Sequence, residues 1–226
     1  MPSPALPALA LAAFCMSGSA LAQQPPGFKF GQEDDSDRQE QEARQNRIAA
    51  QLSTPCKASL KDKKIVVLIG ERQSNGYIAA QWQNYGAAYD AINNRLRSLG
   101  LRTYTPEEIR RQIAQAEADA YLKNDQDAML SAAKRLGASF ALKGLVTADA
   151  TKNPMMNVNQ VMVNMHFTLT GGGRIISEAD AHSASYAGAD VSRMALTLVN
   201  EQADDVVATL YSDYCRLAGG PARKTN

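Results

Sequence analysis

The run Ala132-Ala133-Lys134-Arg135-Leu136-Gly137-Ala138-Ser139-Phe140-Ala141-Leu142-Lys143-Gly144-Leu145-Val146-Thr147 changes its period halfway. Its first part reads as the last turn of a helix. Lys134 and Arg135 suit the negative end of the helix dipole, and Gly137 stands where a helix ends in a left-handed residue. From Phe140 onward the period is two. Phe140, Leu142, Gly144, Val146 and Ala148 fall on one face of a strand, and Ala141, Lys143, Leu145, Thr147 and Asp149 on the other. A helix running straight into a strand at the middle of the chain implies an α/β fold.

Upstream, Ile65-Val66-Val67-Leu68-Ile69 is a continuous apolar run between lysines and a glycine, the pattern of a strand buried on both faces. Gly70 to Gly76 reads as a polar turn. It lacks the Lys-Ser/Thr ending of a phosphate loop, and its glycines are wrongly spaced for one. Ile78, Trp82, Tyr85, Tyr89, Ile92, Leu96 and Leu99 recur at helical spacing up to Gly100, which predicts one long amphipathic helix with its aromatics in the core. Leu101 to Tyr104 is a short strand, so strand, helix and strand form a parallel pair with a right-handed crossover. Thr105-Pro106-Glu107-Glu108 is a helix start with the ingredients of a capping box. That helix and a second, starting at Asn124 and Asp125, lead to the central run.

Downstream, Val161, Val163, Met165, Phe167 and Leu169 alternate with polar neighbours. Gly171-Gly172-Gly173 turns the chain, and Arg174 to Ala184 returns. Folding about Gly172 sets His166 opposite Glu178 and Asn164 opposite Asp180, with large apolar residues facing small ones on the other side. Asp190 or Ser192 caps a last helix whose core face is Met194, Leu198, Val199, Ala203, Val206, Val207 and Leu210. The expected fold class is α/β: a mixed sheet with parallel strand-helix-strand units, then an antiparallel hairpin and a C-terminal helix.

The ends read differently. Residues 1–22 resemble an export signal: an apolar segment from Ala5 to Met16, then small residues with a cleavage point between Ala22 and Gln23. No Lys or Arg precedes the segment, an unusual feature. Cys15 follows Phe14 rather than a small residue, which favours a cleaved periplasmic chain over an outer-membrane lipoprotein. Residues 23–54 form a charged tether, disordered or helical; 55–217 are the α/β domain; 218–226 are a flexible tail. Cleavage leaves two cysteines, Cys56 and Cys215. An even count in an exported chain suggests a disulfide between them; the alternative is two buried free thiols. The 24 Lys and Arg nearly balance the 23 Asp and Glu, so no basic field invites nucleic acid. No apolar run is long enough for a transmembrane helix in the mature chain.

With these motifs in this order, the stretch from Lys63 to Cys215 resembles a family of bacterial envelope domains. Its members include the curli-secretion lipoprotein, the lipoproteins that activate penicillin-binding proteins, and a flagellar assembly domain. The resemblance rests on Lys64-Ile65-Val66-Val67-Leu68, on Leu96-Arg97-Ser98-Leu99-Gly100 with Leu101 to Thr105 after it, and on Ala133 to Ala138 entering a strand that ends Gly144 to Thr147. It implies a non-enzymatic role: docking onto a larger envelope machine through a protein partner. No long alternating hairpins of the kind a secretion pore needs are expected.

The resemblance assigns no catalytic residue, metal or cofactor. The expected partner surface is the polar hairpin face, Asn164, His166, Glu178 and Asp180, together with a loop from Asn153 to Gln160. The alternative is a periplasmic metal-dependent hydrolase using His166, Glu178, Asp180 and His182, since imidazoles and carboxylates on adjacent strands can hold zinc. Alternation of polar and apolar residues in a half-solvated sheet explains the same pattern by burial alone. A serine hydrolase finds no Gly-x-Ser-x-Gly elbow.

Overall fold

A computed structural model describes residues 35–72, 78–80, 87–155, 157–188 and 190–219. The signal segment, Cys15, the cleavage point at Ala22 and Gln23, the first part of the tether, Trp82, Tyr85 and the last seven residues lie outside them. In chain order the elements are α1 (Asp35–Leu52), α2 (Lys57–Leu60), β1 (Lys64–Arg72), β2 (Ile78–Ala80), α3 (Ala87–Ser98), β3 (Arg102–Thr103), α4 (Pro106–Gln112), α5 (Gln115–Leu122), α6 (Gln126–Leu136), β4 (Phe140–Asn153), β5 (Val158–Gly171), β6 (Arg174–Ala187) and α7 (Val191–Gly219).

The sheet runs β2-β1-β4-β5-β6, with β3 also paired to β1. β1 is parallel to β3 and to β4, and the β4–β5 and β5–β6 pairs are antiparallel. The α/β class and the mixed sheet expected from sequence are therefore present. α3 and α7 cover one face, closing a core around Ile65, Val67, Ile92, Leu142, Phe167 and Val206. α4, α5 and α6 cover part of the other face, closing a second core around Val66, Leu68, Ile109, Ile113, Leu122 and Leu136. The two sides of β1 are shared between the two cores, which is why its apolar run is unbroken.

The local signals act as their chemistry requires. The Thr105 hydroxyl accepts from the Glu108 amide at 3.2 Å, and the Glu108 carboxylate accepts from the Thr105 amide at 2.8 Å, a complete capping box. Gly137 ends α6 at φ 61°, and the Ala138 amide closes onto the Ala133 carbonyl. Asp190 caps α7 through the Arg193 amide at 2.9 Å. Cys56 and Cys215 are joined in a disulfide, Cα to Cα 5.6 Å. Beside it the Tyr211 hydroxyl donates to the Thr54 carbonyl and accepts from the Cys56 amide, so the entry to the domain is pinned onto α7. The charged segment before it is helical as α1, which lies along α7 with Arg47 donating to Asp205 at 2.8 Å.

Four expectations are corrected. The helix expected from Ile78 is described over Ala87–Ser98, and Ile78–Ala80 is not part of it but pairs with Gly70–Arg72 as an antiparallel edge strand. β1 runs past the expected turn to Arg72, and its open edge outcompetes the helical period there. The helix after Thr105 is two helices, because Ile113 and Ala114 are extended and start α5 afresh. The Asn153 to Gln160 loop is a tight turn: Asn153 pairs with Val158, and the Asn153 side chain accepts from the Met155 amide. Most important, long hairpins are present. β4, β5 and β6 are each 14 residues, about 45 Å at the usual rise.

Candidate functional site

The three long strands outrun the helices that cover them on one side. α7 follows β5 and β6 along one face, whereas α5 packs on β1, β2 and β4, α6 on β4, and α4 on α6. Along β4, β1 pairs with Phe140–Val146 and no further, so the outer half of β4 extends beyond it. On the face opposite α7, the outer parts of β4, β5 and β6 carry Leu145, Thr147, Asn164, His166, Asp180 and His182 around an open cavity of about 430 Å³, with Arg72 at its rim.

Register decides which of these side chains meet. Gly172 and Gly173 both take positive φ, 60° and 76°, as a two-residue hairpin turn requires. The turn is thus centred between them, and Ile176 is an extra residue in β6, since Leu169 pairs with Ser177 and Thr170 with Ile175. Together these move the pairing by two residues from the expected one. His166 lies opposite Asp180, not Glu178, and Asn164 opposite His182, not Asp180. A shift of two keeps every side chain on its expected face, so the polar face survives while its pairs change.

His166 Nδ1 lies 2.7 Å from Asp180 Oδ1, and His166 Nε2 lies 3.3 Å from Thr168 Oγ1. The carboxylate can only accept, so Nδ1 carries a proton and donates to it, while Nε2 faces the Thr168 hydroxyl. His182 Nδ1 donates to Asn164 Oδ1 at 2.7 Å. Each imidazole therefore spends one nitrogen on a cross-strand neighbour. Glu178 stands opposite Thr168 and is exposed. The His166–Asp180 pair is open to solvent, with side chains 40% and 78% exposed, so it is worth no more than about 1 kcal/mol and orients rather than stabilises.

The four residues of the hydrolase alternative share this face but do not converge. Among the described residues no group of three His, Cys, Asp or Glu side chains is placed to hold a metal ion. What the arrangement offers is an array of donors and acceptors held in register by three paired strands. Three contributors are absent from the surface expected from sequence. Arg72 falls in the expected turn. Leu145 and Thr147 were on the right face in the alternation of β4, but that strand had not been placed beside β5.

No protein-family model matches the chain, and no curated protein matches it. Among solved structures it is similar to the PelC dodecamer from Paraburkholderia phytofirmans, at 19% identity and TM-score 0.38, over 67% of this chain and 88% of that one. It is also similar to a minor lipoprotein from Acinetobacter baumannii, at 11% identity and TM-score 0.40, over 68% and 94%. A third is the LpoB C-terminal domain from Salmonella enterica, at 17% identity and TM-score 0.39, over 62% and 93%.

Proposed function

We propose that the chain is an exported, non-enzymatic accessory or assembly protein that docks onto a bacterial envelope machine through its α/β domain. The observation that carries this reading is the outer face of β4, β5 and β6, which no helix among the described residues covers on the side away from α7. Three paired strands of 14 residues hold polar groups in fixed register on one side, while the other side is backed by α7. Such a face is stiff, and little ordering entropy is lost when a partner settles on it. The Cys56–Cys215 disulfide supports an oxidising compartment, hence the periplasm. Among the described residues no helix is long and apolar enough to cross a membrane.

The test is site-specific photocrosslinking in cells. A photoreactive residue is placed at Asn164 or at His182, and a control at Thr197, which is on α7. One envelope complex captured from the two strand positions and absent from the control is the expected result. Equal capture from all three positions, or none from the strand positions, overturns the reading.

A further inference from the structure

A second cavity lies further in on the same face, where the α5–α6 connection meets the sheet. It is an open cleft of about 210 Å³, exposed to solvent at Asn124, Asp125 and Ile175 and lined also by Tyr121, Lys143 and Thr168, with Thr170 beside Tyr121. At about 30 Å³ per liquid water this is the space of about seven waters, or one molecule of amino-acid size.

Its central feature is Lys143 on β4. The residue is only 7% exposed, its stem lying in the sheet and its ammonium opening on the cavity. The ammonium has three donors, and the hydrogen bond it makes is to Asn124 Oδ1. Asn124 is held in the left-handed region at φ 71°, in the turn that separates α5 from α6. Burial lowers the affinity of Lys143 for its proton, and the field of Glu178 on β6 works the other way. No ion pair joins Lys143 to Asp125, although both line the same cavity. Asp125 Oδ1 accepts from the amides of Asp127 and Ala128, which leaves its second oxygen free of those bonds. The Tyr121 hydroxyl, set beside Thr170, is buried without a hydrogen bond of good geometry. Ile175, 54% exposed, gives the mouth an apolar edge.

A cation with unused donors, a carboxylate not paired to it, an underused buried hydroxyl and one aliphatic wall form a site with two poles. We propose that this cavity binds a small zwitterion of the α-amino-acid class, its carboxylate on the Lys143 ammonium and its ammonium on Asp125. The Tyr121 hydroxyl and the Asn124 amide complete the carboxylate pole, and Ile175 meets a short aliphatic side chain. Thr168 lines this cavity and also bonds His166, so an occupant touches the same strand residue that orients the outer face.

The test uses the full mature chain with methyl-labelled Ile and Thr, titrated with L-valine. Two truncated probes run beside it: 3-methylbutanoate, which lacks the amine, and 2-methylpropylamine, which lacks the carboxylate. The expected result is a saturable shift of the Ile175 and Thr168 methyls with valine, and binding at least about tenfold weaker for each truncated probe, since each loses one charge-assisted contact. Lys143→Met, which keeps the volume and removes the charge, abolishes the shift. Asp125→Asn, which still caps α6, removes the advantage of valine over 3-methylbutanoate. No saturation by about 50 mM valine, weaker than any functional affinity for so small a ligand, overturns the proposal. So does equal binding of valine and 3-methylbutanoate, or undiminished valine binding by a folded Lys143→Met chain.

Discussion

Gly144 offers the sharpest test of the core. It pairs across the β4–β5 ladder with Phe167, a side chain with no solvent exposure. A Cβ built on Gly144 falls 2.4 Å from Phe167 Cε1, 2.9 Å from Cδ1 and 3.1 Å from Cζ. Carbon atoms pack at about 3.5–4.0 Å, so the ring or the strand must move by about 1 Å to admit a single methyl. Phe167 belongs to the same buried cluster as Leu142, Met165 and the α7 side chains, and close packing of this kind resists displacement of the ring. Overpacking of this kind costs about 1–3 kcal/mol, and the lower chain entropy of alanine returns about 0.4–1 kcal/mol. Gly144→Ala is therefore expected to lose about 1–2 kcal/mol. Urea unfolding of the oxidised chain, followed by circular dichroism, reads this as a lower midpoint at unchanged slope. Phe167→Leu is destabilising alone but removes the ring edge that the new methyl strikes. The double variant is expected to be more stable than the sum of the single losses by about 1 kcal/mol. An unchanged midpoint for Gly144→Ala, or strict additivity with Phe167→Leu, refutes the close approach as the reason for glycine at this position.

Other outcomes follow from single contacts. Replacing Cys56 and Cys215 by serine opens a closure of 159 residues, worth at most about 5 kcal/mol on the chain-entropy account; equal urea midpoints with and without reductant would count against it. Thr105→Ala removes one half of the capping box and is expected to cost about 1 kcal/mol, with Thr105→Ser near wild type in the same assay. Lys143 has a folded pKa below its ordinary 10.5, so the unfolded chain binds more protons between the two values. Stability then rises with pH across that window, and the rise should be missing in Lys143→Met when the two chains are compared by urea unfolding at each pH. Asp180→Asn keeps a cross-strand acceptor for His166 but removes its charge; stability should stay within about 0.5 kcal/mol, and any loss of photocrosslinking then reports the surface rather than the fold.

What was legible in the sequence, and what was not, follows the range of the interactions. Signals that act within a few residues read correctly: Gly137 at the end of α6, the Thr105–Glu108 box, and the alternation of β4 and β5. Phe167 and Gly144 show the next level. Each sits in a recognisable pattern, but the reason for the glycine appears only when the two strands are set side by side. The misread pieces are those decided by a distant partner. Ile78 continues a helical stripe as well as Tyr89 and Ile92 do, yet it pairs with the end of β1. The hairpin pairing failed for a subtler reason: three glycines permit more than one turn centre, and a bulge at Ile176 leaves little trace in an alternating pattern.

That last error bears on the site itself. Counting from Gly172 brings His166 to Glu178 and leaves Asp180 and His182 as further ligands, a constellation that invites metal chemistry. The observed pairing gives each histidine a separate cross-strand partner, Asp180 for His166 and Asn164 for His182, and leaves Glu178 across from Thr168. A two-residue shift thus preserves the polar face but changes its chemistry from a converging donor set to a row of paired groups. Deleting Ile176 tests this reading directly. Ile176 is the unpaired residue, so its loss leaves Thr170 opposite Ile175, Leu169 opposite Ser177 and His166 opposite Asp180. Ala179 stays on the α7 side and Glu178, Asp180 and His182 stay on the polar face. The deletion variant is therefore expected to keep the His166–Asp180 contact and to lose only the packing of the partly buried Ile176 side chain, about 1–3 kcal/mol. Cross-strand nuclear Overhauser contacts between the His166 and Asp180 strands read this directly. A one-residue slip along β6 would turn Glu178, Asp180 and His182 towards α7, where burying those charges costs several kcal/mol. Observing that slip would refute both Ile176 as the extra residue and burial against α7 as what holds the register of this face.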